Sequence, residues 1–166
     1  VFVFFGLMAT AGTLYVQGGS VPGWAWLAAC GIGLIACSLL MVNNLRDIGT
    51  DPLHGKRTLA VRLGECGARA AFCAMVAVPV PLGVVALWQA RSTHSASGAP
   101  GAVTLGGAVA VVYAVYLLLL GLLAGRAALP VLRGATGRDL IPSLRDAGLY
   151  ELVYGAATAA ALVVTG

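Results

Sequence analysis

The chain has 166 residues, 60% of them hydrophobic and 10% charged, with a mean hydropathy of +0.93 and a formal charge of +4. Soluble domains carry about 25% charged residues, so charge this sparse leaves a mostly apolar surface whose natural solvent is lipid. The basic balance does not indicate nucleic acid, because the cations sit in connections between apolar runs and form no basic face.

Five apolar runs follow one another, at about 1–16, 21–43, 68–88, 103–124 and 148–165. A bilayer core takes about 20 residues of helix, and the middle three runs meet that length. The first opens VFVFFGLMAT, already inside an apolar segment. No charged n-region or cleavage site precedes it, so it does not read as a signal peptide. The chain is expected to be the C-terminal part of a longer protein. The last run is near the lower limit and carries Glu151. There is no internal repeat and no period-two alternation. The fold class is all-α, a polytopic transmembrane helix bundle with five helices here. Pro79 and Pro81 predict a kink in the third run. Gly121 and Gly125 form a GxxxG in the fourth, a spacing that lets helices approach closely in lipid. Cys30, Cys37, Cys66 and Cys73 lack any CxxC spacing and read as small, buried, reduced residues.

The connections alternate in charge. Residues 17–20 carry none, and residues 89–102 are Ser/Gly/Ala-rich with Arg91 alone. Residues 44–67 hold Arg46, Lys56, Arg57 and Arg62, Arg69 lies just beyond, and residues 125–147 hold Arg126, Arg133, Arg138 and Arg145. Nine of the ten basic residues therefore fall on one side. Lys/Arg-rich short loops stay cytoplasmic, which predicts loops 44–67 and 125–147 inside the cell and the C-terminus outside.

The stretch NNLRDIGTDPLHGKRTLAVRLG, residues 43–64, concentrates the chemistry. Asp47 and Asp51 are four apart, which on a helix stacks two like charges one turn from each other. Such a pair at a membrane mouth needs a counter-ion. Two carboxylates with nearby amide oxygens suit Mg²⁺, which keeps its waters and is shared with substrate phosphates. Asn43 and Asn44 could supply or orient oxygens, and Lys56, Arg57 and Arg62 could grip phosphate. Pro52 disfavours a helix continuing past Asp51. His54 could join the metal, although Mg²⁺ prefers oxygen. GKRT does not complete a P-loop, because Thr50 and Arg57 stand where a glycine and a Ser/Thr are needed. The plain alternative is a stop-transfer loop whose charges only set topology.

This stretch resembles the second aspartate-rich motif of the UbiA-type membrane prenyltransferases, most closely the subfamily acting on 1,4-dihydroxy-2-naphthoate. FGLMATAGTLYVQG (5–18) and LIPSLRDAGLYELVYG (140–155) resemble that subfamily too, so the likeness spans nearly the whole chain. The resemblance implies a parent fold of about nine membrane helices in a bacterial plasma membrane, with a cavity open to the cytoplasm and laterally to lipid. It implies transfer of a polyprenyl group from an allylic polyprenyl diphosphate to 1,4-dihydroxy-2-naphthoate, with loss of diphosphate and CO₂, giving demethylmenaquinone. Carried over, Asp47 and Asp51 hold the diphosphate through Mg²⁺, and Asn44 belongs to the same motif. Arg46, Lys56 and Arg57 contact or neutralise the diphosphate, and Arg62 sits in the motif without a clear role. Tyr15 and Arg145 are candidates for the pocket or the aromatic carboxylate, against the simpler roles of interfacial anchor and topology charge.

The family's first aspartate-rich motif has no counterpart here, because Asp139 and Asp146 are seven apart and lack its pattern. It is expected on the N-terminal half of the same protein, and this chain alone is expected to be inactive. A second acceptor, such as 4-hydroxybenzoate, is the nearest alternative. A transporter bundle is the alternative from another class. It fits less well, lacking repeated halves and mid-membrane charge.

Overall fold

The computed structural model describes residues 1–96 and 106–165. Six α-helices run in chain order: α1 (Ala9–Gly18), α2 (Gly23–Arg46), α3 (Leu59–Ala77), α4 (Pro79–Ala96), α5 (Gly106–Leu132) and α6 (Ile141–Thr165). A π-helical stretch, Phe2–Met8, leads into α1, and single 3₁₀ turns lie at Asp51–His54 and Gly137–Leu140. No strand occurs among the described residues, and the chain is an all-α bundle of membrane type. Four segments are long and apolar enough to cross a bilayer: Gly23–Arg46, Leu59–Thr93, Val109–Leu132 and Gly137–Val164. Phe2–Gly18 is apolar but shorter.

The α2 helix is apolar all round, and such a helix belongs at the centre of its bundle. It buries Ala25, Ala28, Ala29, Ile35, Met41, Val42 and Leu45 and packs against α3, α4, α6 and the N-terminal segment. Its buried Ser38 donates back to the carbonyl of Ile35 at 2.7 Å, so no polar hydrogen is stranded in the apolar interior. The N-terminal segment meets α2 at Gly6 and Gly33, where a Cβ on Gly6 would lie 2.5 Å from Gly33 Cα. Only paired glycines allow that approach.

The α5–α6 contact follows from spacing. Tyr116, Leu120, Ala124, Ala127 and Val131 are buried on α5, and Ala147, Tyr150, Tyr154 and Ala161 on α6. Both sets recur every three or four residues and define one face. Tyr116 Oη and Thr158 Oγ1 share a hydrogen bond of 2.9 Å, while Thr158 donates to the carbonyl of Tyr154 at 2.7 Å. Leu117, Leu118, Leu122, Leu129 and Leu132 stay exposed, as a lipid-facing surface would. Gly121 and Gly125 are also exposed, with nothing against them. The packing face is turned one residue away, onto Leu120 and Ala124, so the GxxxG spacing takes no part in this contact.

The third apolar run becomes two helices. Pro79 has no N–H to offer the carbonyl four residues back, and the helix divides at Val78, which keeps helical dihedrals and still donates to Ala74 at 3.0 Å. The pair forms one apolar rod of 35 residues. A second break lies at Gly64 (φ +72°, ψ 170°), a conformation essentially restricted to glycine. It separates the first turn of α3 from the membrane segment. Part of the loop expected over 89–102 is helical, since α4 runs to Ala96. The rest of that loop, and the start of the fourth run at 103–105, lie outside the described residues. All four cysteines are free thiols, but none is fully buried: Cys30, Cys37 and Cys73 are half-buried, and Cys66, in the turn after Gly64, is exposed.

Candidate functional site: the mouth between α2 and α3

The helix α2 ends at Arg46, and Asp47 adopts non-helical dihedrals (φ −96°, ψ 7°) while its N–H still bonds Asn43. The chain then turns: the N–H of Asp51 donates to the carbonyl of Asp47 at 2.9 Å, and that of Lys56 to Asp51 at 2.9 Å. Pro52 occupies the first turn of the 3₁₀ segment, where its missing N–H costs nothing. Gly55 (φ +72°) reverses the chain. Thr58 then caps α3, its hydroxyl accepting from the N–H of Val61 at 3.4 Å. The two aspartates thus remain one turn apart in the chain but not on one continuous helix.

Each carboxylate has its own cation. Arg46 binds Asp47 in a two-pronged pair, Nε to Oδ1 and Nη2 to Oδ2, both 2.8 Å. Hydrogen bonds from that guanidinium hold the Asp47 carboxyl below the usual carboxylate range. Desolvation opposes this, and the charges of Arg46 and Lys56 reinforce it. Asp51 is turned inward, 6% exposed. The Thr58 hydroxyl lies 3.4 Å from its Oδ2, and Lys56 Nζ stands 4.0 Å from its Oδ1. The repulsion anticipated between the carboxylates is therefore answered inside the loop, by Arg46 and Lys56.

Around them, Lys56, Arg57 and Arg62 are exposed, and Asn43 and Asn44 are half-buried in the last turn of α2. Neither Asn side chain carries a hydrogen bond among the described residues, so both amides are free to meet a ligand. The Nδ1 of His54 pairs with the carbonyl of Thr50 at 2.9 Å, which ties that imidazole to its own turn. No group of three or more His, Cys, Asp or Glu converges to hold a metal among the described residues. This chain brings two carboxylates to the mouth rather than a closed cage.

The second basic connection lies at the same end of the bundle. Arg69 joins the two: Nη1 donates to Val131 at 2.6 Å and Nη2 to Ala135 at 2.8 Å, while Nη2 also binds Glu65 Oε1 at 2.6 Å. A guanidinium on the Val131 carbonyl, in the last turn of α5, complements the negative end of that helix. Arg145 is exposed and pairs with its neighbour Asp146 at 3.2 Å. It makes no contact with Asp47 or Asp51 among the described residues. Tyr15 is 62% exposed near the end of α1. It stands by the start of α2, and the 24 residues of that helix put Asp47 about 36 Å away. The structure thus pairs Asp47 with Arg46 and Asp51 with Lys56, keeps Asn43 and Asn44 in the adjoining last turn of α2, leaves Arg57 and Arg62 exposed with no contact to either carboxylate among the described residues, and places Tyr15 at the far end.

Two residues escaped the sequence reading. Thr58 carries a sequence signal, a threonine just before an apolar run, but not its contact with Asp51. Arg69 counted only as a topology charge, since nothing local marks a contact more than sixty residues along the chain.

Comparison with known proteins agrees with this architecture. The UbiA prenyltransferase family matches residues 1–132. The chain is similar to 1,4-dihydroxy-2-naphthoate octaprenyltransferase of Mycobacterium tuberculosis, 42% identical over 163 residues, covering 98% of this chain and 48% of that protein. The protein of the same name from Mycobacterium leprae is 38% identical over 166 residues, covering 100% of this chain and 49% of that protein. That from Haemophilus influenzae is 47% identical over 78 residues, covering 47% of this chain and 25% of that protein. The chain spans about half the length of the mycobacterial relatives. No solved structure matches it. On the extent of the family match, this chain belongs to the UbiA prenyltransferase family.

Proposed function

We propose that the protein containing this chain transfers a polyprenyl group from an allylic polyprenyl diphosphate to 1,4-dihydroxy-2-naphthoate, releasing diphosphate and CO₂ and forming demethylmenaquinol, the reduced form of demethylmenaquinone. The observation that carries this reading is the mouth between α2 and α3, where Asp47 and Asp51 stand one turn apart in the chain, paired with Arg46 and Lys56, with the exposed Arg57 next in sequence. The names of the relatives support the acceptor. Bound Mg²⁺ would neutralise charge on the diphosphate as it leaves, and a site with two carboxylates and room for water and phosphate oxygens suits that ion.

The residues divide the work. Asp47 and Asp51 would hold the metal that the diphosphate oxygens share. Lys56 and Arg57 draw the charge that builds on the departing diphosphate. As the allylic C–O bond breaks, the ring carbon bearing the carboxylate attacks the allylic carbon. Loss of CO₂ then returns the electron pair to the ring. Arg46 holds Asp47 ionised, and it must yield part of that pairing when metal and substrate arrive. Both basic connections face the cytoplasm in this reading, because short Lys/Arg-rich loops stay on that side.

The test is Asp47→Ala and Asp51→Ala in the intact enzyme. Each should abolish transfer of a labelled isoprenyl group while membrane insertion is unchanged, and retained activity in both would refute the metal role. Competition between 1,4-dihydroxy-2-naphthoate and 4-hydroxybenzoate decides the acceptor. Residues 1–166 alone should not catalyse transfer, because the remaining aspartate-rich motif belongs to the rest of the protein. Full activity of this chain in detergent would overturn that.

A further inference from the structure

The end where α5 meets α6 carries a charged feature apart from the Asp47–Asp51 mouth. Residues 126–146 contain four arginines, Arg126, Arg133, Arg138 and Arg145, and two aspartates, leaving a charge of +2. Asp146 is 6% exposed and stands between two of the arginines. Arg145 donates to its Oδ1 from Nε at 3.3 Å and from Nη2 at 3.2 Å. Arg126 Nε lies 3.7 Å from its Oδ2. One nearly buried carboxylate thus fixes two guanidiniums, and the Nη groups of Arg126 carry no hydrogen bond among the described residues. Arg133, seven residues on and just past the end of α5, meets no carboxylate among the described residues. Arg126 and Arg133 line a crevice of about 530 Å³, with Leu129, Pro130 and Asp139 in its walls.

The depth of this crevice restricts what can fill it. Arg126 lies six residues inside the end of the apolar span Val109–Leu132, about 9 Å along the helix. From there a long basic side chain reaches the lipid headgroup layer. On the same helix Leu122 and Leu118 are 60% and 65% exposed, an apolar strip running from Arg126 toward mid-membrane. A matching ligand has an anionic head at the water boundary and apolar chains below it. Guanidiniums suit a phosphate diester, to which they donate two hydrogen bonds at a time.

We propose that the α5–α6 crevice binds the headgroup phosphate of an anionic phospholipid between Arg126 and Arg133, with its acyl chains along the leucine strip. The site is separate from the Asp47–Asp51 mouth and does not depend on the reaction assigned there.

The experiment places the purified intact protein in nanodiscs of mixed phosphatidylglycerol and phosphatidylcholine, then reads retained lipid by native mass spectrometry. Phosphatidylglycerol should be retained above its bulk fraction. Arg133→Gln should cut that excess about fivefold, the effect of one basic group near an anionic headgroup. Arg133 has no partner to lose, so its replacement leaves the fold intact. Arg126→Gln/Arg133→Gln should bring retention to the bulk ratio, while Arg57→Gln/Arg62→Gln should leave the excess unchanged. Equal retention of both lipids, an excess changed less than twofold by Arg133→Gln, or a loss equally large in Arg57→Gln/Arg62→Gln would overturn the proposal. So would displacement of the bound phosphatidylglycerol by geranyl diphosphate, which would assign the crevice to the prenyl donor.

Discussion

Arg69→Met should loosen the bundle at its charged end. The arginine bonds the Val131 carbonyl in the last turn of α5 at 2.6 Å and the Ala135 carbonyl just past that helix at 2.8 Å, and it pairs with Glu65 at 2.6 Å. The Glu65 side chain is 55% exposed, and an exposed pair four residues apart on a helix contributes only about 0.3–0.5 kcal/mol. The two carbonyl bonds matter more, because the guanidinium is 16% exposed and bonds to a charged group contribute about 1.5–3 kcal/mol each. Water can reach the freed carbonyls from the loop side and recover part of this. The expected net loss is therefore about 2–3 kcal/mol. Methionine fills the stem volume, so the loss reports the polar contacts rather than a cavity. Arg69→Lys keeps the charge but cannot fork to both carbonyls, and should recover about half. Unfolding in mixed detergent micelles, followed by circular dichroism, measures both. A change below about 0.5 kcal/mol in Arg69→Met, at the level of ordinary surface substitutions, would refute the view that this residue joins α3 to α5.

The acid response of Asp47 gives a further test. Its folded carboxyl lies below the usual range, mainly through the Arg46 hydrogen bonds. Its stabilising pairing is thus complete above the unfolded value, about 3.9, and is lost as pH falls through the lower folded value. Arg46→Gln removes the largest cause and lets the carboxyl rise, so the acidic limb of the pH–rate profile should move to higher pH. A limb that stays in place or moves lower would contradict the pairing. At the other end of the chain, Gly6→Ala would set a Cβ 2.5 Å from Gly33 Cα and 2.9 Å from the carbonyl of Ala29. Backbone must move, so overpacking should cost about 1–3 kcal/mol, seen as faster proteolysis at the α1–α2 loop. A variant as resistant as the parent would show that the segment is not pressed against α2.

The membrane class, the number of apolar runs and the position of the mouth were all legible in the sequence. Each depends on local composition: an apolar run long enough for a bilayer, a proline after Asp51, a cluster of cations between two runs. Recognition of the family rested on continuous motifs, residues 43–64 with 5–18 and 140–155 beside them, and such motifs need no tertiary information. Packing was less legible. The GxxxG at Gly121 and Gly125 had the right spacing for a contact, yet a lipid-facing helix is apolar on every side. Periodicity alone cannot say which stripe meets a neighbour.

By itself the sequence determined that this is an all-helical membrane chain with its carboxylates and cations concentrated in the α2–α3 connection, because desolvation of the backbone leaves lipid-soluble sequence little other choice. Only the tertiary structure decided how the charges pair. It gives Asp47 to Arg46, turns Asp51 inward toward Thr58 and Lys56, and sends Arg69 across to the end of α5. It also holds Tyr15 at the far end of α2 from the two aspartates. Such assignments depend on distances between helices, which no local pattern of residues encodes.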